Sequence, residues 1–143
     1  MNQENFEHCK SIRERLEGYY NGEYYQCPEC GEIVHIPDLD DTKLDECFRL
    51  PCGCAIEDYD DLYSLSVYSF FDDRFDTIYY FGEDGDMRGV RILIAFGGPN
   101  IYVDTYRKTV ELFWWTETAT VDLEQELCED ITEIFEDMYK ACH

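Results

Sequence analysis

The spacing of apolar residues changes period along the chain, and the changes mark its elements. Near the start, Phe6, Cys9, Ile12 and Leu16 recur on one helical stripe with Arg13, which predicts an opening helix over 3–20. Gly18 and Gly22 are its expected stop signals. From 76 to 116 the period falls to two. Strands are predicted at 77–81, 89–96, 101–105 and 109–115, separated by Glu83-Asp84-Gly85-Asp86, Gly97-Gly98-Pro99-Asn100 and Tyr106-Arg107-Lys108. The Asp84-Gly85 pair is a hairpin signal. The strand at 89–96 is apolar at nearly every position, which places it inside the sheet. In the fourth strand Val110, Leu112 and Trp114 share one face, and Glu111, Phe113 and Trp115 the other. A helical period returns over 122–141 with Leu123, Leu127, Ile131, Ile134, Phe135 and Met138, and Asp122 with Gln125 would make a capping box. A shorter helix is expected within 58–76, capped by Ser64. The pattern predicts one α+β domain over 1–143: an antiparallel four-stranded meander packed by terminal helices, with a small lobe at 24–57.

Cysteine chemistry defines that lobe. Cys27-Pro28-Glu29-Cys30 is a C-x-x-C followed by Gly31, a turn that aims two sulfurs at one point while its amides face them. Cys52 and Cys54 follow and supply a second pair. Four such thiolates would close a structural Zn²⁺ site, with Zn–S bonds of about 2.3 Å. The spacing resembles that of the zinc ribbons, although the second pair is C-x-C, so Cys47 and His35 stand in reserve as fourth ligand. A thioredoxin-like redox pair would need a helix after the motif, and Glu32-Ile33-Val34-His35-Ile36 reads as a strand. Disulfides would need an oxidising compartment, and no apolar signal segment opens the sequence. Cys9 sits on the apolar stripe as a core thiol, and Cys128 and Cys142 are expected to be free. The acidic loop at 37–42 lacks the ligand spacing of a calcium loop.

Charge changes the picture most. Asp and Glu number 33 against 11 Lys and Arg, a formal charge of −22. Four thiolates and one Zn²⁺ add −4 + 2, giving about −24 for a zinc-loaded chain. Solubility of a small domain needs a charge of only about 2–8 in magnitude. Such a chain repels nucleic acid and anionic membranes and suits a basic protein surface. Hydrophobic residues make up 45%, enough for a core, and no run approaches a membrane span. The expected location is the cytoplasm of a bacterial host cell. No nucleophile elbow, zincin motif, P-loop or dinucleotide fingerprint is present, and His8, His35 and His143 are scattered, so no enzyme is expected.

A compact acidic chain with a cysteine metal lobe resembles the small inhibitors of phages and mobile elements. These are the antirestriction DNA mimics and, more narrowly, the zinc-containing type II anti-CRISPR proteins that act on Cas9. The resemblance rests on overall charge, the lobe from Cys27 to Cys54 and the acidic closing helix. It implies a stoichiometric inhibitor that docks on a basic surface of Cas9 and stops target-DNA loading. The expected contact residues are Asp72, Asp73, Glu83, Asp84, Asp86, Glu129, Asp130, Glu133, Glu136 and Asp137. Trp115 or Phe113 would add an aromatic contact. A zinc-ribbon adaptor that binds a basic transcription or replication protein is the other expectation.

Overall fold

The computed structural model describes residues 3–35, 43–44, 47–49, 52–56 and 62–142. It divides into two compact units, one of residues 18–70 and one of residues 1–17 with 71–143. The opening helix α1 is Gln3–Tyr20. It runs past Gly18 and closes at Gly22, where Glu23 N–H donates to Gly18 O at 2.8 Å and Gly22 N–H to Tyr19 O at 3.3 Å, a Schellman pairing. Gly18 serves a different end: a Cβ there would come within 2.4 Å of the Tyr24 ring.

In the 18–70 unit, β1 (Tyr24–Gln26) pairs with β2 (Ile33–His35). Three short strands follow, β3 (Lys43–Leu44), β4 (Cys47–Arg49) and β5 (Ala55–Ile56), and form a second antiparallel sheet. Then come β6 (Tyr63–Ser64), which returns to β1, and α2 (Val67–Phe70). Ser64 is therefore not a helix cap. It pairs with Tyr25, and the strand contact outweighs its capping preference. Ser66 holds that place instead, its carbonyl accepting from Phe70 at 3.2 Å and its N–H donating to the Ser69 hydroxyl at 3.3 Å. Residues 58–61 of the expected helix and the whole loop at 37–42 lie outside the described residues.

The second unit is built on one sheet of five strands, β7 (Asp76–Phe81), β8 (Met87–Ala95), β9 (Asn100–Asp104), β10 (Thr109–Trp114) and β11 (Glu117–Asp122). Their spatial order is β11-β10-β9-β8-β7, all antiparallel neighbours. The four-stranded expectation missed β11. Its inward residues are a small Ala119 and Val121, and the turn that leads to it, Trp115-Thr116, has no glycine or asparagine. A fifth strand also displaces the closing helix: α3 is Gln125–Cys142. Asp122 ends β11 opposite Thr109, and Glu124 accepts the first helical bond from Cys128 at 3.1 Å, so the capping box of Asp122 and Gln125 does not form.

One face of the sheet buries Val90, Ile92, Ile101, Val103, Val110 and Leu112, and Leu127, Ile131 and Phe135 of α3 are buried with them. The thiol of Cys9 is buried on α1 and donates to Val110 O at 3.7 Å and Ala119 O at 3.5 Å. The opposite face carries a buried charge cluster. Arg91 donates to Asp104 at 3.0 Å and to Glu111, while Tyr80 OH donates to Asp104 at 3.2 Å.

Candidate metal centre

Two tight turns bring four sulfurs together. In the first, Cys27 N–H donates to Glu32 O at 2.8 Å and Gly31 N–H to Cys27 O at 2.9 Å, which closes the loop at the end of the β1–β2 hairpin. Gly31 takes φ +80°, and Gln26 Nε2 donates to its carbonyl at 3.0 Å. The second turn is Cys52-Gly53-Cys54, with Gly53 at φ +95° just before β5. These left-handed positions favour glycine because a side chain would crowd the backbone. Cys27, Val34 and Leu62 form a small buried core, with Tyr25, Cys52 and Cys54 packed against it.

The sulfurs of Cys27, Cys30, Cys52 and Cys54 all lie within 4.8 Å of one another, and the four thiols are unbridged. Tetrahedral coordination by four sulfurs at about 2.3 Å puts them roughly 3.8 Å apart, so the cluster needs only a small contraction to close on an ion. The four cysteines can bind a metal ion. Their electrostatics favour one. Desolvation alone would raise Cys27, but amides of Cys30 and Glu29 and the neighbouring thiols outweigh it and bring this thiol down to about 7. The sulfurs of Cys30 and Cys52 push Cys54 the other way, up to about 12. Cys27 is thus poised to lose its proton and Cys54 to keep one, and a cation binding among the sulfurs displaces thiol protons.

His35 is engaged elsewhere: its ring stacks on Tyr24 at a centroid distance of 4.5 Å, and its Nε2 is 3.4 Å from Glu23. The side chain of Cys47, the other reserve ligand, lies outside the described residues.

The acidic residues singled out above occupy three places in the second unit. Asp72 and Asp73 are exposed in the turn before β7, and Glu83, Asp84 and Asp86 in the β7–β8 turn. Glu129, Asp130, Glu133, Glu136 and Asp137 lie on α3 away from its buried residues. Both acidic turns adjoin α3 through aromatic contacts, Phe71 with Phe135 at 5.5 Å and Phe81 with Tyr139 at 5.3 Å. Arg88 stands 2.7 Å from Asp84, and Lys140 stands 3.2 Å from Glu136. The periodic reading did not foresee the Arg91–Asp104–Glu111 cluster; its one trace is a charge in the middle of the apolar run of β8.

The centre and fold together define an α+β protein with helices at both ends, antiparallel sheets and a cluster of four cysteines able to hold a metal ion. Among the described residues no helix is long and apolar enough to cross a membrane. No protein-family model, curated protein or solved structure matches the chain.

Proposed function

We propose that this protein is a zinc-stabilised acidic inhibitor that binds a basic surface of a nucleic-acid enzyme, with Cas9 as the partner, and blocks target-DNA loading. The acidic band of α3 carries the reading. Glu126, Glu129, Asp130, Glu133, Glu136 and Asp137 fall within eleven helical steps, about 17 Å at 1.5 Å per residue. That is roughly one carboxylate per 3 Å, close to the charge spacing along a nucleic-acid strand. Cas9 holds its guide–target duplex in a positive channel, the kind of surface such a band would occupy. Zinc is the metal of the proposal because an all-sulfur tetrahedral donor set suits it and leaves no open position for chemistry. The inhibitor acts by occupancy, without turnover.

Exposed aromatics at the tip of β10 favour the second reading, an adaptor that docks on a basic transcription or replication protein through apolar contact. Salt separates the two. Binding to guide-loaded Cas9 should weaken at least about tenfold between 50 and 200 mM salt and should compete with target DNA. The triple variant Glu129→Lys, Glu133→Lys, Glu136→Lys should lose inhibition while unfolding at an equal or higher denaturant midpoint, because it relieves like-charge repulsion on α3. Salt-insensitive binding, or inhibition that survives the triple variant, would remove the mimic.

A further inference from the structure

Four aromatic side chains stand in solvent at one end of the five-stranded sheet. The antiparallel register gathers there the start of β7, the end of β8, the start of β9 and the end of β10. Phe75 and Phe96, 56% and 59% exposed, meet edge to face at 4.6 Å. Across the intervening turn, Trp114 and Trp115 meet at 5.8 Å, and Trp115 is 87% exposed. Gly98 in that turn lies beside the Trp114 ring, 3.9 Å from where a Cβ would sit.

Folding does not account for Trp115. It takes φ +59° in the two-residue turn between β10 and β11, a region that costs a bulky L-residue on the order of 1–2 kcal/mol. Glycine or asparagine is the unstrained choice in such a turn. With nearly all of its surface in water, the indole returns almost none of that cost by burial.

The exposed charges that flank these aromatics are acidic. Asp72, Asp73 and Asp76 flank Phe75 in sequence, and Glu117 stands opposite Trp114 in the β10–β11 register. Arg74, the cation among them, is turned inward, donating to Phe71 O at 3.0 Å and lying 5.2 Å over the Phe135 ring. Among the described residues no cation pairs with these four acids. An aromatic centre with a charged rim has the anatomy of a protein interface. A rim of carboxylates alone selects a partner of opposite charge.

We infer that this end of the sheet is the docking surface for a basic protein segment, with Trp115 as its anchor. Lys and Arg of the partner meet the acidic rim, their aliphatic stems lie along the aromatic rings, and an apolar neighbour covers the indole. The inference rests on the reading above that the partner is basic, and it adds the place and the anchor.

The probe is a short peptide of Lys and Leu, titrated into the full zinc-loaded chain by calorimetry with indole emission followed in parallel. The wild type should bind it and shift its emission to shorter wavelength. Trp115→Gly should unfold at an equal or higher urea concentration, because glycine relieves the turn, and should bind the peptide at least about tenfold more weakly. Should that variant misfold, Phe75→Ser, at an exposed position, takes its place with the same expected loss. A wild type that ignores the peptide, or variants that bind it as well as the wild type does, overturns the inference. Binding of peptide without binding of Cas9 removes the inhibitor reading and keeps the surface; the reverse pattern removes the surface and keeps the inhibitor.

Discussion

Arg91 shows how much one side chain decides. Its guanidinium lies on the sheet face opposite α3, bonded to Asp104 and Glu111 and 4.1 Å over the Tyr102 ring. Desolvation works against the charged form, yet its bonds to Glu111 and Asp104 outweigh that and hold Arg91 firmly protonated. Asp104 is fully buried and accepts hydrogen bonds from Arg91, Tyr80 OH and the N–H of Arg107, the last at 2.8 Å. Arg91→Met keeps the length and removes the charge, leaving two buried carboxylates facing each other. The variant should lose about 3–5 kcal/mol of stability, read as a lower urea midpoint. An unchanged midpoint would mean that water already solvates the cluster. The sequence displayed Arg91 as a lone charge in an apolar run, but only strand register could say that Asp104 faces it.

At the scale of elements, the metal turns and β11 make opposite cases. The C-x-x-C of Cys27 and Cys30 was legible because a local spacing dictates a local turn. Cys52 and Cys54 were legible as ligand types, whereas their approach to Cys27 depends on the path of the chain between the pairs. β11 was hidden because its pairing with β10, not its own apolar content, makes it a strand. Ser64 failed as a cap for the same reason, since β1 claims it. The centre carries an element-scale prediction. Structural zinc in small modules is worth on the order of 10 kcal/mol of folding free energy. Cys27→Ser should therefore lose metal, counted by mass spectrometry under native conditions, together with cooperative unfolding of the 18–70 unit. A metal-free variant that keeps a sharp transition there would refute the structural role.

Over the whole molecule, the charge of −22 acts against folding as well as toward a partner. Carboxylates crowded on α3 and its neighbouring turns repel one another, and salt relieves that repulsion. Raising ionic strength from about 10 to about 100 mM shortens the screening length from roughly 30 to 10 Å. The melting temperature of the zinc-loaded chain should rise by a few degrees over that interval, the effect of somewhat under 1 kcal/mol. A flat or falling melting temperature would show that the carboxylates are already neutralised. Stability thus rises with salt while binding to a basic partner falls, so the two effects are told apart by sign.

The sequence by itself determined the α+β class, the helices at both ends, the hairpin at Asp84-Gly85 and the identity of the sulfur donors. Each of these depends on residues within a few positions of one another, or on composition. Tertiary structure alone decided the fifth strand, the gathering of Cys27, Cys30, Cys52 and Cys54 within 4.8 Å, the partners of Arg91 and the exposed aromatic end of the sheet. Those depend on which distant segments pair and in what register, and register is fixed by the sum of contacts across the sheet rather than by any one stretch of chain.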